Sequence, residues 1–243
     1  MIKKNSVENF TIHTIGVIRS CFVEKFGIPR QPGLAPSACA EIELVEPYNR
    51  QEMVQGLERF SHIWIQFLFH ETLSEGWKAT VRPPRLGGNR RMGVFATRSP
   101  HRPNHLGLSA VRLLGIKTGD DRVRLELGGV DLLDGTPVVD IKPYIPYADC
   151  LKDASAGWLS DDFIKMSVEF LHEPAEFCRE YERTTGRKLA RLIEEILEQD
   201  PRPASQRDRK HHFGMMLWEV NVRWKIDKER CVVTACQTLE ENG

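Results

Sequence analysis

Nine basic side chains and no acidic one lie between Lys78 and Lys117, in a block that is also rich in proline and glycine. The whole chain is formally neutral, with 34 basic and 34 acidic residues, so the positive charge is concentrated in this block. Proline and glycine fix loop conformations, and guanidinium groups held on such loops can bind an anion, with RNA as the leading candidate. A solvated surface loop is the alternative.

The motifs that the chain lacks exclude several classes of enzyme. No G-x-G-x-x-G follows a strand and opens a helix, and no G-x-x-x-x-G-K-[ST] is present, so Rossmann-type and P-loop nucleotide sites are not predicted. The sequence also lacks the H-x-E and P-C-x-x-C pair of zinc deaminases and the [DN]-P-P-[YF] tetrapeptide of many Rossmann-type amino methyltransferases. The eight histidines are scattered without the spacing of metal ligands, so we expect no metal site.

Composition indicates a cytoplasmic protein that does not enter a membrane. The longest apolar run, Ile63 to Phe69, is interrupted by Gln66 and is far too short to span a bilayer. The N-terminal MIKKNSVENF is too polar for a signal peptide. The six cysteines form no C-x-x-C pair, and we expect them to be buried or half-buried free thiols.

Short β segments separated by glycine and proline turns predict a closed or Greek-key barrel in the first 150 residues. His62–Phe69 is a nearly continuous apolar run, which predicts a strand buried on both faces. Asn49 and Glu52 resemble an N-cap box, which predicts a short helix at Arg50–Leu57. The other predicted strands are Phe10–Arg19, Glu41–Val45, Met92–Thr97, Leu108–Ile116, Arg122–Leu127 and Val138–Lys142.

The pattern changes near residue 150, and the remainder predicts a smaller α+β unit. Pro174–Arg183 opens with proline, which is favoured at the first position of a helix. Met216–Ile226 and Cys231–Ala235 are predicted to form a closing hairpin. The sequence thus predicts a mainly β protein, with a β-barrel domain at residues 1–150 and a C-terminal α+β domain at 151–243. A second helix is indicated by apolar residues at helical spacing, namely Leu189, Leu192, Ile193, Ile196 and Leu197.

Several blocks of sequence, taken in order, carry a resemblance to a known family. They are residues 15–20 (IGVIRS) with 25–33 (KFGIPRQPG), 57–64 (LERFSHIW), 82–89 (RPPRLGGN) running on to 93–104 (GVFATRSPHRPN), 131–144 (DLLDGTPVVDIKPY) and 200–204 (DPRPA). Together they resemble the TrmO (YaeB-like) family of S-adenosylmethionine-dependent tRNA methyltransferases. The resemblance covers most of residues 10–150 and then thins until the last block.

This resemblance implies a β-barrel methyltransferase that acts as a homodimer. The implied reaction is N6-methylation of the threonylcarbamoyl-adenosine beside the tRNA anticodon, with S-adenosylmethionine as the methyl donor. A catalytically silent RNA-binding barrel, which would use the same basic loops, is the alternative. The cofactor-binding positions implied by the resemblance are Gln31, Pro32, Gly33, His70, Glu71, Arg98, Leu108, Asp134, Gly135 and Thr136.

Two of these positions are candidates for the chemistry. Arg98 offers a fork suited to a carboxylate, either that of the methionine moiety or that of the threonyl group of the substrate. Asp134 could accept the proton of the methylated nitrogen, because that N–H lies beside a carbonyl and is more acidic than a plain exocyclic amine. Asp134 and Gly135 could instead form only a hairpin turn.

Five other arginines of the basic block are candidates for contacts to tRNA phosphates, since such contacts supply most of the sequence-independent affinity for nucleic acid. Solvated surface charge is the alternative. The predicted tRNA-binding residues are Arg82, Arg85, Arg90, Arg91 and Arg102, with Asp200 and Arg202 of the last block.

Two positions depart from the family pattern, His105 and Ser205. An aromatic residue commonly follows the D-P-R-P-A block, whereas this chain has Ser205, which lies outside the residues that the structure describes. Family members often read R-P-N-P-[IL]-G where this chain has His105 in RPNHLG. Without the proline ring the backbone loses a fixed φ, so the sequence predicts a less rigid loop at this point.

Overall fold

The structure is a computed structural model, and it describes residues 9–86, 90–119, 122–159, 165–202, 212–228 and 230–239. Its α-helices are α1 (Gln51–Val54), α2 (Pro146–Asp149), α3 (His172–Thr185) and α4 (Leu189–Leu197). Its strands are β1 (Gly16–Ser20), β2 (Cys39–Leu44), β3 (His62–Leu68), β4 (Thr80–Val81), β5 (Met92–Gly93), β6 (Leu106–Gly119), β7 (Arg122–Gly128), β8 (Pro137–Pro143), β9 (Ser167–Phe170), β10 (His212–Leu217), β11 (Val220–Asp227) and β12 (Arg230–Thr238).

Six strands close into a barrel in the order β1-β2-β7-β6-β3-β8, which confirms the predicted mainly β fold. Each neighbouring pair is antiparallel. Alternate residues of each strand point into the barrel, where Ile18, Ile42, Ile63 and Leu125 are completely buried. Burying each of these side chains contributes roughly 1.5–3 kcal/mol, so the alternating pattern fixes the register of the wall.

Strand β3 has one packed face and one that is only half-buried. Ile63, Ile65 and Phe67 are buried, whereas Trp64 and Gln66 keep part of their surface exposed. The prediction that this apolar run is buried on both faces was therefore wrong. Trp64 and Gln66 border a cavity instead of a second packed layer.

Two predicted elements are much shorter in the structure. Strand β1 starts at Gly16, because the pairing with β2 and β8 ends there, and Phe10 remains exposed in irregular chain. The predicted strand at Met92–Thr97 was wrong beyond its first two residues, since a 3₁₀ turn follows at Val94–Ala96. The apolar residues of this segment do not form the packed face of a strand, because Phe95 is 77% exposed.

The C-terminal α+β unit is a four-stranded sheet in the order β10-β11-β12-β9, with α3 packed against β12 and α4 against α3. The predicted strand at Met216–Ile226 is split at Trp218, whose φ of 51° turns the chain from β10 into β11. Pro174 is the third residue of α3 and not the first. Trp224 is fully buried, and its ring stacks on those of Phe26 and Phe213.

The chain segment 21–38 lies between the barrel and the C-terminal unit, and one continuous hydrophobic cluster joins all three. Near its start, the Glu24 carboxylate accepts the Met216 N–H at 2.8 Å. Near its end, buried Glu195 of α4 accepts the N–H and the hydroxyl of Ser37 at 2.8 and 3.1 Å. The C-terminal unit therefore holds both ends of the segment that carries Gln31-Pro32-Gly33.

Among the described residues, no helix has the length and apolar character needed to cross a membrane.

Candidate functional site

A cavity of about 840 Å³ opens at one end of the barrel. The last residue of β3, Leu68, pairs with the first residue of β6, Leu106, and both line this cavity. Residues from the segments 25–32, 97–102 and 131–136 complete its wall. Sites for drug-sized molecules and cofactors generally occupy roughly 300–1,000 Å³, so the cavity has the size of a ligand site.

The cavity gathers most of the positions predicted to bind a cofactor. Gly33, Asp134 and Gly135 are not among the residues that line it. The positions that do line it come from separate parts of the chain and meet only in the fold. They are Gln31, Pro32, His70, Glu71, Arg98, Leu108 and Thr136.

Arg98 connects two of the segments that form the cavity. Its Nη1 donates a hydrogen bond to Oε1 of Gln31, which joins the segment 97–102 to the segment 25–32. A guanidinium has five N–H donors, so this bond leaves others for a ligand. Arg98 is otherwise exposed, and its charge can meet an anionic group that enters from solvent.

Asp134 holds a turn in place at the edge of this region. Its Oδ1 accepts the Ser20 N–H at 2.8 Å, and the Gly135 N–H donates to the Ile18 carbonyl at 2.8 Å. Gly135 has a φ of 75°, which glycine adopts at little cost. Strand β7 lies between β2 and β6 and β8 lies between β3 and β1, so this turn does not close a hairpin. The proton-accepting role of Asp134 stays a prediction.

Asp131, which sequence analysis did not single out, lies in the cavity wall. The Ser109 hydroxyl donates to its Oδ1 at 2.7 Å. Burial raises the pKa of the Asp131 carboxyl to about 6, against the opposing effects of the Ser109 hydrogen bond and the Arg98 charge. The sequence feature that could have identified Asp131 is its position between the apolar residues Val130 and Leu132, which are both buried. A carboxyl within an apolar run tends to have a perturbed pKa.

A second, more open cavity of about 740 Å³ carries part of the basic block. Lys78, Arg82, Arg91 and His101 line it, and Pro100 borders both cavities. In the described part of the chain, the Glu75 carboxylate lies close to two of these basic side chains and lowers the local positive charge. The Glu75 carboxylate lies 3.4 Å from Lys78 Nζ and 3.7 Å from His101 Nε2. Arg91 donates instead to a neutral hydroxyl, that of Thr80, at 3.1 Å, so this cavity keeps an excess of positive charge.

Two models of known protein families match the chain. Residues 17–150 match the tRNA-methyltransferase O N-terminal domain, and residues 164–239 match the TrmO C-terminal domain. This chain belongs to the TrmO family.

Individual relatives agree with this assignment. A protein from Escherichia coli K12 named tRNA (adenine(37)-N6)-methyltransferase is 49% identical over 223 residues, which cover 90% of this chain and 94% of the relative. A Pseudomonas aeruginosa PAO1 relative, 49% identical over 215 residues covering 88% of this chain and 91% of its own, carries a name that assigns it provisionally to the S-adenosylmethionine-dependent methyltransferases. A crystal structure of TrmO from Pseudomonas aeruginosa superimposes with a TM-score of 0.80 at 40% identity, covering 96% of this chain and 100% of that one.

The arginines predicted to bind tRNA differ in how available they are in this TrmO-family chain. Arg82, Arg90 and Arg91 are exposed. Arg102 is half-buried, and its Nη1 donates to the Thr97 carbonyl at 2.8 Å, so it also stabilises the loop that carries Arg98. The side chain of Arg85 lies outside the described residues.

Asp200 and Arg202 form a buried ion pair in this TrmO-family chain. Arg202 is only 6% exposed, and its Nε and Nη2 donate to the two carboxylate oxygens of Asp200 at 2.7 and 3.0 Å. Its guanidinium also lies 5.9 Å from the centre of the Phe213 ring. These contacts hold the chain after α4 against β10, and the contact of both residues with tRNA stays a prediction.

His105 is buried and has a φ of 50°, a value that the proline ring cannot adopt. Its Nδ1 lies 3.0 Å from the Pro100 carbonyl, and its N–H donates to the Arg102 carbonyl at 3.1 Å. The loop thus has side-chain and backbone ties where a proline would have supplied a fixed φ. These contacts indicate that the loop is held in place at His105, in contrast to the loss of rigidity that the sequence predicts.

Proposed function

We propose that this chain is an S-adenosylmethionine-dependent tRNA methyltransferase that methylates N6 of the adenine beside the anticodon. The observation that carries the proposal is the cavity, because it brings seven of the predicted cofactor positions together beside an excess of positive charge. The Escherichia coli relative, whose name states this reaction, aligns along 94% of its length. The finer assignment, threonylcarbamoyl-adenosine as the substrate base, rests on the resemblance of the sequence blocks.

The side chains that line the cavity suit S-adenosylmethionine. Arg98 offers its guanidinium to the carboxylate of the methionine moiety, and the Glu71 carboxyl suits its ammonium and sulfonium charges. Trp64 and Leu108 provide apolar surface for the adenine ring. When bound, this cofactor supplies an electrophilic methyl group on a positively charged sulfur. The protein contributes by binding and orienting the two reactants, because methyl transfer requires a nearly linear approach.

The remaining predicted site residues are proposed to shape this pocket. Gly33 donates its N–H to the Gly129 carbonyl at 2.8 Å, which anchors the loop that carries Gln31 and Pro32. Asp134 and Gly135 bind the end of β1 and place Thr136 in the cavity wall. We therefore propose that Asp134 acts by positioning this turn.

We further propose that the protein works in the cytoplasm as a homodimer, and that residues 1–150 and 151–243 are its two domains. All six cysteines lie in the described part of the chain and are free thiols, which supports a reducing compartment. Large apolar side chains at Phe95, Tyr147 and Leu151 are 77%, 91% and 70% exposed, which supports a further protein surface covering them. The two family models, which match residues 17–150 and 164–239, support the domain boundary.

Nucleoside analysis of cellular tRNA tests the proposed reaction directly. In a strain that lacks the gene, mass spectrometry of digested tRNA should show loss of the N6-methylated threonylcarbamoyl-adenosine and accumulation of its unmethylated form. A plasmid copy of the gene should restore the methylated nucleoside. Unchanged nucleoside levels in the deletion strain would refute the substrate assignment.

Binding of tRNA should depend on the exposed arginines of the basic block. Replacing Arg90 with alanine should weaken tRNA binding and flatten the log–log salt dependence by about one unit, because one phosphate contact is lost. Filter binding between low and moderate salt measures both quantities. Arg223 is an exposed arginine on β11 of the C-terminal sheet, and Arg223→Ala is the matched control that should leave the slope unchanged. Equal salt-dependence slopes for the wild type and both variants would show that Arg90 does not contact tRNA.

A further inference from the structure

Methyl transfer to a nitrogen that carries a hydrogen requires a proton acceptor. As the bond between N6 and the methyl carbon forms, the carbon–sulfur bond breaks and sulfur keeps its electron pair. The proton of N6 must then leave, so that the product nitrogen is neutral. General bases that remove such protons typically contribute about 10²–10⁴-fold to the rate.

We propose that Asp131 is the catalytic residue that takes this proton, with its carboxylate held in place by the Ser109 hydroxyl. The proposal rests on the methyltransferase function given above and names a residue that neither the sequence blocks nor the predicted site assigned to this role. Asp131 lies in the cavity wall, and Ser109 donates to Oδ1 alone at 2.7 Å. The Ser109 bond does not involve Oδ2, which we assign to the substrate nitrogen, while the backbone N–H of Asp131 gives the carboxylate a further hydrogen bond.

The other acidic groups of this region are engaged differently. Glu71 is about half exposed, and its carboxylate lies 3.6 Å from Lys25 Nζ and 3.7 Å from His70 Nε2. The Asp134 carboxylate accepts the Ser20 N–H at 2.8 Å, and Asp134 is not among the lining residues. Asp131 thus combines a half-buried position in the cavity wall with an oxygen that the Ser109 bond does not use.

The charged groups around the cavity act on Asp131 from several elements. Loss of contact with water raises the pKa of the Asp131 carboxyl to about 6, and the Ser109 hydrogen bond, the Asp131 backbone N–H and the Arg98 charge act in the opposite direction. A carboxyl with this pKa is mostly ionised at neutral pH and binds a proton more strongly than an exposed aspartate does. The other titratable or charged residues that line the cavity are Lys25, Arg30, His70, Glu71 and Arg102.

The first test replaces Asp131 with asparagine, which keeps the shape and removes the proton-accepting charge. Single-turnover methylation of tRNA, with saturating cofactor, should slow by at least about 100-fold. Calorimetry should show an S-adenosylmethionine affinity within about threefold of the wild type, since one pocket contact of modest energy changes. A single-turnover rate close to that of the wild type would overturn the proposal. So would a loss of cofactor affinity that accounts for the whole decrease, because Asp131 would then be a cofactor ligand only.

The second test uses Ser109→Ala, which leaves the carboxylate present. Loss of the hydroxyl removes an effect that lowers the Asp131 pKa, so that pKa should rise. The single-turnover rate of the wild type should increase with pH through about 6, and this limb should move to higher pH in the variant. The carboxyl ¹³C titration of Asp131, measured by NMR without cofactor or tRNA, should move in the same direction.

Ser61→Ala is the matched control, because Ser61 precedes β3 and is not among the residues that line the cavity. Its pH profile and Asp131 titration should equal those of the wild type. An identical pH–rate limb for the wild type and Ser109→Ala, with a shifted NMR titration, would show that Asp131 titrates without taking part in catalysis. A wild-type protein that binds the cofactor but never methylates tRNA would instead refute the proposed function itself.

Discussion

Replacing Arg98 with alanine is expected to weaken S-adenosylmethionine binding about 30-fold, which corresponds to about 2 kcal/mol of charge-assisted hydrogen bonding. Two effects combine in this loss. The guanidinium no longer meets the carboxylate of the methionine moiety, and the hydrogen bond that ties Arg98 to Gln31 disappears. Isothermal calorimetry of the purified protein measures the affinity without depending on activity.

Two further variants separate these effects. Gln31→Ala removes the tie to Arg98 but keeps the guanidinium, so its loss of affinity should be the smaller one. Arg112→Ala removes an exposed arginine from β6, at a position opposite His62 that does not line the cavity, and should bind like the wild type. Wild-type affinity in Arg98→Ala would exclude a cofactor contact by Arg98. Absence of saturable heat in the wild type would favour the RNA-binding barrel.

Gly107→Ala is expected to destabilise the protein by about 3 kcal/mol, which is at the upper end of the cost of overpacking a core. A Cβ at this position would overlap the ring of Phe67, which is 5% exposed. That ring cannot move freely, because it also packs edge-on against Phe69 with centroids 5.0 Å apart. For a chain of this size the change corresponds to a decrease in Tm of about 6–12 °C.

Gly93→Ala is the matched control for this glycine replacement. Gly93 has a φ of −57°, and a Cβ there would meet no atom within 4 Å. Thermal unfolding should therefore show little change for Gly93→Ala. Phe67→Leu should recover part of the loss when combined with Gly107→Ala, since a smaller side chain leaves room for the new methyl group. Equal Tm values for the two single glycine variants would contradict the close packing of Phe67 over Gly107.

Local sequence patterns determined most of the barrel strands. The alternation of charged and apolar residues at Glu41–Val45 corresponds to β2 at Cys39–Leu44, and Leu108–Ile116 lies within β6. Period-two alternation identifies such strands because one face must pack in the barrel while the other faces outward. Apolar residues at the helical period of 3.6 likewise identified the buried face of α4, whose residues Leu189 to Leu197 are largely buried.

Contacts between residues far apart in the sequence determined the structure at positions where the local pattern gave a wrong prediction. Met216–Ile226 has strand-forming residues throughout, yet the chain turns at Trp218, whose N–H donates to the Cys21 carbonyl at 2.8 Å. That partner lies almost two hundred residues earlier in the chain. The residues next to Trp218 in the sequence carry no sign of this hydrogen bond, so the turn could not be predicted from the local sequence.

The sequence by itself determined the family and the residue types of the site, because ordered blocks such as the one at residues 131–144 identify both. Tertiary structure decided how Asp131 and Asp134, two of the three acids of that block, differ. Asp134 accepts the backbone N–H of Ser20, whereas half-buried Asp131 accepts the Ser109 hydroxyl, and loss of contact with water raises the pKa of Asp131 to about 6. The affinity of a carboxyl for a proton depends on its distance from water and on nearby charges, and both are set only when separate strands meet.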